Sequence, residues 1–141
     1  VCDNLEAGKE ERYTSGKKQY GKKQNTRQIG TAYEQLAADY LKAQGYEILE
    51  QNFRCRLGEI DIIARDGSAL VFIEVKYRRN AAYGTPAEAV NLRKQQKICK
   101  VADYYRMKHR VSDGQACRFD VVAIQGRNIR LIRDAFPYCF Y

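Results

Sequence analysis

Residues 58–76 read GEIDIIARDGSALVFIEVK, and this stretch decides the fold. Two apolar runs lie on either side of Asp66-Gly67-Ser68, a strong turn signal, so the stretch predicts a β-hairpin. Side chains alternate between the two faces of a strand. With an even number of turn residues, Asp61 lies opposite either Phe72 or Glu74. The apolar face of the hairpin then consists of Ile60, Ile62, Ala64, Val71, Ile73 and Val75.

The opposite face of the predicted hairpin is polar and collects Glu59, Asp61, Glu74 and Lys76, together with Phe72. A slip of one residue would move carboxylates into the core, where an unpaired charge is costly, so this register is favoured. Asp61 and Glu74 are then direct or diagonal neighbours, with Cβ atoms roughly 5 to 8 Å apart.

Two carboxylates at that distance repel each other unless positive charge lies between them. Lys76 supplies one charge, and a divalent cation that prefers oxygen ligands, such as Mg²⁺, would supply more. Such a site suits phosphodiester hydrolysis, because the cation neutralises the phosphate and activates water while the lysine orients that water. A cross-strand salt bridge on a solvated face is the alternative. The coincidence of G-E-I-D, a twelve-residue spacing, E-V-K and an apolar opposite face favours the metal site.

The segments around the hairpin predict an α/β protein with a mixed central sheet of about five strands flanked by helices, restriction-endonuclease-like in class. A helix over residues 28–44 carries apolar side chains at Ile29, Tyr33, Leu36, Ala37, Tyr40 and Leu41. Strands follow over 46–54, 57–65 and 69–78. A capping box at Thr85-Pro86-Ala87-Glu88 predicts a second helix that buries Val90 and reaches about Met107. Strands over 117–124 and 128–133 complete the order.

Net charge is +8, which favours a polyanionic partner. Residues 12–27 hold six basic residues and no acidic one, so residues 1–27 are predicted to form a flexible basic N-terminal arm. The arm is either a phosphate-binding tail or a solubilising terminus. The remaining domain, residues 28–141, is also basic, with eighteen basic against thirteen acidic residues.

Several classes of protein are disfavoured by composition. No apolar stretch is long enough to span a bilayer, so we expect no membrane partner and a cytoplasmic location. The five cysteines are widely spread and form no C-x-x-C pair. The single histidine, His109, lies in a basic stretch typical of a solvated helix end, which disfavours Cys-His or Ser-His catalysis.

The pattern D-x12-E-V-K at Asp61, Glu74 and Lys76 resembles the PD-(D/E)xK nuclease superfamily. Residues 30–136 resemble more closely the YraN-type bacterial family, itself similar to archaeal Holliday junction resolvases. The matching pieces are G-T-A-Y-E-Q-L-A at 30–37, N-F-R at 52–54, G-E-I-D-I-I at 58–63, V-F-I-E-V-K-Y-R at 71–78, G-T-P-A-E-A-V at 84–90 and R-F-D-V-V-A-I at 118–124. The proline of the superfamily's name is absent before Asp61.

This resemblance implies a Mg²⁺-dependent endonuclease, with Mn²⁺ as a substitute, that acts on branched or junction DNA. Asp61 and Glu74 would bind the metal and Lys76 would assist the water. Glu34 matches the helix position that completes the acidic cluster in resolvases, although it could be an ordinary solvent-facing residue.

Basic residues complete the expected site. By the same resemblance, Lys94 and Lys97 match positions that point towards the phosphate, and a solvated helix face is the alternative. Arg54, Arg78 and Arg79, with Arg56, flank the hairpin; they could line a groove for the DNA backbone or form the rims of strands. Asp120 is expected to pair with an arginine such as Arg118.

Three functions remain open on the sequence. The first is a DNA endonuclease. It could act as a homodimer, because cutting two strands symmetrically needs two sites. The second is a non-catalytic nucleic-acid-binding module on a nuclease fold, against which the intact acidic residues argue. The third is cleavage of RNA.

Overall fold

A five-stranded mixed sheet lies between two helices in the part of the chain that the computed structural model describes, residues 26–78 and 90–141. The elements are α1 (Thr26–Ala43), β1 (Glu47–Cys55), β2 (Gly58–Asp66), β3 (Ala69–Arg78), α2 (Leu92–Lys108), β4 (Cys117–Gln125) and β5 (Asn128–Ile132). The predicted α/β class and the order of elements are confirmed.

The strands follow one another across the sheet in chain order. β3 and β4 are parallel, and the chain between them includes α2, as a parallel connection requires. The other neighbouring pairs are antiparallel. The E-V-K strand β3 is therefore the middle strand and has a neighbour on each side.

The β2–β3 hairpin has the predicted even register. Asp66 pairs with Ala69 around a two-residue turn, Gly67-Ser68, and the pairing runs on to Ile62 and Ile73. Gly67 has φ +59, a left-handed conformation that glycine adopts without steric cost.

Both faces of the sheet are buried, each under one helix. The cluster under α2 is built on aromatic residues and includes Phe53, Phe72, Tyr105, Phe119 and Phe136. The cluster under α1 is mostly aliphatic and includes Ala37, Leu41, Ile62, Val71, Ile73, Val122 and Ile124. The face predicted to be polar is thus apolar along much of its length, and the acidic residues occupy only one end of it.

Ile60 was wrongly predicted to share a face with Ile62. It packs in the cluster under α2, on the same side as Ile63, whereas Ile62 lies under α1. Regular alternation is therefore lost between Ile60 and Ile62, at Asp61. The change is physically tied to Asp61, whose carboxylate bonds to the backbone of β3.

Two predictions about the helices were also wrong. Leu36, assigned to the buried side of α1, is 43% exposed, while Ala38 is fully buried in its place. The second helix begins at Leu92 with Asn91 as its N-cap, whose side chain accepts a hydrogen bond from the Lys94 backbone N–H. Val90, predicted to lie within this helix, is buried but precedes it, and it packs in the cluster under α2.

Some predictions fall outside the described residues. These are the capping box at 85–88, Arg79, and nearly all of the arm over 1–27, although α1 already begins at Thr26. Among the helices described, none is long and apolar enough to cross a membrane. His109 is the C-cap of α2, as its basic surroundings predicted.

Asp120 joins segments at the hairpin-turn end of the sheet. Its carboxylate is fully buried and accepts hydrogen bonds from the Tyr46 hydroxyl (2.8 Å), the Arg118 guanidinium (2.8 and 2.9 Å) and the Asp134 backbone N–H (2.9 Å). Arg118 also bonds Asp66 at 2.8 Å. The predicted pairing of Asp120 with Arg118 is confirmed, and the four hydrogen bonds that Asp120 accepts from three residues identify a structural clamp.

Candidate active site

Asp61 lies where β2 and β3 separate. The last paired residues are Ile62 and Ile73, and one step further along the two strands stand Asp61 and Glu74. The backbone N–H of Val75 donates to Asp61 Oδ2 at 2.8 Å, so the carboxylate takes a place that a backbone carbonyl would fill in a regular ladder. This bond fixes one carboxylate oxygen.

Glu74 is buried on the α2 side of the sheet, with 6% of its side chain exposed. Its Oε1 lies 3.3 Å from Lys76 Nζ and 3.6 Å from Lys94 Nζ. Lys76 comes from the same strand and Lys94 from the first turn of α2. A buried carboxylate is costly unless it is paired, and two half-buried amines here compensate it.

The electrostatics of Asp61 are unusual. Burial, followed by the negative charge of Glu74, raises its pKa to about 7. Glu34 adds to the increase, whereas the Val75 N–H and Lys94 oppose it. The two lysines therefore lie beside Glu74, and the negative charge of an ionised Asp61 is offset less well by nearby positive charge.

Glu34 is half-buried on α1 and faces the same acids. Burial raises its pKa, a hydrogen bond from the Asn52 side chain lowers it, and Glu59 and Glu74 raise it further. The structure thus brings Glu34, Asp61 and Glu74 into one electrostatically coupled group, here called the carboxylate cluster. Asn52 was not singled out as a site residue, and the only sequence signal was its place in the N-F-R motif.

The donors of this cluster suit some metal ions better than others. Among residues 26–78 and 90–141, no group of three or more His, Cys, Asp or Glu side chains is close enough to form a complete metal cage. Mg²⁺ is commonly bound by one or two carboxylates and completes its shell with water and substrate phosphate. Asp61 and Glu74 fit that pattern, whereas they do not fit a structural zinc site, which takes four protein ligands.

Basic residues surround an open recess beside the cluster, here called the α2 recess. It measures about 320 Å³ and is lined by Arg54, Cys55, Arg56, Leu57, Gly58, Glu59, Lys94 and Lys97. Four cations against one acid give it a net charge of +3. Because Lys94 also contacts Glu74, the recess opens directly from the carboxylate cluster.

The other predicted basic residues are placed as follows. Arg54 is exposed and forms an ion pair with Glu59 at 3.2 Å. The Lys97 side chain lies against Gly58, where its Cε would be 3.0 Å from an added Cβ. Arg78 is the last residue of β3, two positions beyond Lys76. The structure therefore brings Arg54, Lys94 and Lys97 together around one recess.

Comparison with known proteins gives consistent matches. A family model described as "Uncharacterised protein family UPF0102" matches residues 33–124. A "UPF0102 protein" of Lachnoclostridium phytofermentans is 50% identical over 112 residues, covering 79% of this chain and 95% of the relative. Proteins of the same description from Caldicellulosiruptor bescii and Syntrophus aciditrophicus are each 51% identical, covering 79% and 83% of this chain and 99% and 94% of the relatives.

Proposed function

The chain belongs to the uncharacterised protein family UPF0102, and on that premise we propose that it is a metal-dependent endonuclease that hydrolyses phosphodiester bonds in DNA. The D-x12-E-V-K pattern on a hairpin of a mixed α/β sheet supports a place in the PD-(D/E)xK superfamily. Branched or junction DNA is the proposed substrate, Mg²⁺ the proposed cofactor with Mn²⁺ as substitute, and a homodimer the proposed assembly for paired cuts.

One observation carries this proposal: two carboxylates converge in a partly buried site where their repulsion is not fully relieved. Glu74 has two amines within 3.6 Å, yet the pKa of Asp61 stays raised to about 7. A purely structural salt bridge would pair each acid with its own cation. An unrelieved acid beside a basic recess is instead typical of a site that receives a cation and a phosphate together.

The residues have distinct proposed roles. Asp61 and Glu74 would hold Mg²⁺ through carboxylate oxygens, and Glu34, which is not placed to join them as a third ligand, would add negative charge from the other side of the cluster. When bound, the metal would supply charge neutralisation at the phosphate and lower the pKa of water. Lys76 would orient the attacking water, and Lys94 would move from Glu74 towards the phosphate as negative charge develops there.

The test is a cleavage assay on four-way junction, flap, duplex and single-stranded DNA with Mg²⁺, with Mn²⁺ and with chelator. Wild type is expected to cut only with metal, and Asp61→Asn, Glu74→Gln and Lys76→Gln are expected to lower the rate by at least about 100-fold. Matched controls are Asp113→Asn and Glu47→Gln, both at exposed positions away from the site. Cutting that survives chelator or Asp61→Asn would reject the mechanism.

A non-catalytic nucleic-acid-binding module is the second candidate, and one observation favours it. Lys76 and Lys94 already neutralise Glu74, as they would in a site whose acids serve only to position lysines. Tight DNA binding with no cleavage in any metal would support this candidate. Direct counting of bound Mn²⁺ in wild type and in Glu74→Gln separates the two, because a binding module needs no metal. An RNA substrate in the same assay tests the third possibility.

A further inference from the structure

A second recess lies on the other side of the carboxylate cluster and is here called the α1 recess. It measures about 460 Å³ and is lined by Arg27, Gly30, Thr31, Glu34, Asn52 and Arg54. Two arginines against one acid give it a net charge of +1. Arg54 also lines the α2 recess, so the two recesses meet at this residue.

The two recesses approach the cluster from opposite faces of the sheet. The α1 recess includes Glu34, which interacts electrostatically with Asp61 and Glu74. The α2 recess includes Lys94, which lies 3.6 Å from Glu74 Oε1. Since α1 and α2 pack on different faces, the two recesses, which meet at Arg54, lie on either side of the carboxylate cluster.

Gly30 lines the α1 recess from within a helix, which is an unusual place for glycine. It lies inside α1, where glycine is among the least favourable residues. A Cβ added at Gly30 would meet no described atom within 4 Å, and its φ is not left-handed. Neither packing nor backbone conformation within the described chain therefore calls for glycine. A side chain added at this position would therefore project into the open recess rather than into protein.

Asn52 forms the facing wall. Its φ of +54 is left-handed inside strand β1, which is uncommon for a non-glycine residue. The side chain hydrogen-bonds Glu34 and lines the recess. Asn52 therefore holds Glu34 beside an amide and two guanidinium groups, which are ordinary partners of phosphate oxygens.

We propose that the α1 recess binds a backbone phosphate of the DNA strand, on the side of the cut bond opposite to the phosphate held in the α2 recess. The position of the cut rests on the proposed function; the phosphate site itself does not. The strand must then continue on both sides of the carboxylate cluster. The substrate class is an internal phosphodiester, with at least one phosphate needed on each flank.

The first test measures binding in the presence of chelator, so that it does not depend on cleavage. Gly30→Glu places a carboxylate in the recess without a clash, and Gly30→Ala is the neutral control. Ala32→Glu adds the same charge at an exposed position of the same helix that does not line the recess. Anisotropy of a labelled oligonucleotide is recorded over a series of salt concentrations.

Gly30→Glu is expected to weaken binding by about tenfold and to lower the salt slope by about 0.7 to 0.9, the loss of one phosphate contact. Gly30→Ala should bind like wild type, and Ala32→Glu should change affinity far less. Thr31→Glu, an exposed position in the same recess, repeats the test if Gly30→Glu folds poorly. Equal binding by the recess variants and by Ala32→Glu would overturn the proposal.

The second test locates the phosphate. Neutral methylphosphonate linkages are placed one at a time along the strand, and binding by wild type and Gly30→Glu is compared in chelator. Wild type should lose affinity at linkages in two groups separated by a gap, and Gly30→Glu should become insensitive at one group only. An unchanged pattern in Gly30→Glu would contradict the proposed site. If the protein binds in this way but never cuts, the site stands and the endonuclease proposal fails.

Discussion

At the scale of single residues, Asp61 both bonds to the backbone of β3 and forms part of the carboxylate cluster. Its carboxylate replaces a ladder acceptor by bonding the Val75 N–H at 2.8 Å, and the strand changes face beside it. That bond holds the acid next to Glu74 even though the two repel. A side chain that disturbs its own strand and sits in an unfavourable field is typical of a functional position.

Asp61→Asn is expected to stabilise the protein at high pH when no divalent ion is present. The pKa of Asp61 in the folded state, about 7, lies above its ordinary value of 3.8. The contribution of this group to stability is therefore full below about pH 4 and is lost as the pH rises through 7. Asparagine accepts the same Val75 hydrogen bond but does not titrate.

The measurement is thermal unfolding of wild type and Asp61→Asn between pH 4 and 8.5 in chelator. The variant should match wild type within about a degree at pH 4 and melt roughly ten degrees higher or more at pH 8, since a carboxyl pKa raised from 3.8 to about 7 costs about 4 kcal/mol of stability there, and about 1 kcal/mol corresponds to several degrees in a domain of this size. Adding Mg²⁺ at pH 8 should stabilise only wild type. A melting difference that is the same at both pH values would contradict the raised pKa.

At the scale of elements, hydrogen bonds hold several segments together near the hairpin turn, and the pairing of β2 with β3 ends at Ile62 and Ile73. The Asp120 clamp joins β2, β4, the segment before β1 and the segment after β5 near the hairpin turn. The carboxylate cluster lies towards the other end of β3.

Asp120→Ala is expected to destabilise the protein by roughly 3 to 5 kcal/mol, because it removes the acceptor of the buried Tyr46 hydroxyl and of the Asp134 N–H and leaves the partly buried Arg118 with Asp66 alone. Chemical denaturation compares it with Asp113→Ala, an exposed aspartate that should change stability by less than about 0.5 kcal/mol. Any folded fraction of Asp120→Ala should retain DNA affinity, since none of the clamp residues lines either recess. Lost affinity with unchanged stability would assign Asp120 to binding instead.

At the scale of the whole molecule, the basic residues of the α2 recess lie next to the carboxylate cluster. The chain carries a net charge of +8, and the α2 recess alone accounts for +3 of it. A basic surface raises affinity for any polyanion, while the acids at its centre repel phosphate until a cation is present. Under the proposed function, this arrangement would make productive DNA binding depend on the metal ion.

The basic arm predicted over residues 1–27 should contribute affinity without selectivity. Changing Lys17, Lys18, Lys22 and Lys23 to glutamine is expected to weaken binding to all DNA shapes alike and to reduce the salt slope by up to about 4. The cleavage rate at saturating DNA should not change, because the carboxylate cluster is intact. Binding isotherms over a salt series, alongside single-turnover cleavage, check both expectations. An unchanged salt slope would make the arm a solubilising terminus.

The sequence by itself determined the hairpin, its register and the closeness of Asp61 and Glu74. These follow from local constraints: a two-residue turn, alternation along strands, and the cost of burying unpaired charge. Element order and α/β class followed from the same periodic patterns. Where a local signal was ambiguous, as on the two sides of α1, the prediction failed, and Leu36 proved to be exposed.

Only the tertiary structure decided which helix side chains reach the acids. Lys94 meets Glu74 because α2 docks on one face of the sheet, and Glu34 meets Asn52 because α1 docks on the other. The two recesses also depend on that docking, since each combines residues of a helix with residues of the sheet. Such contacts join residues far apart in the chain, and no periodicity within one segment encodes the distance or angle at which two segments pack.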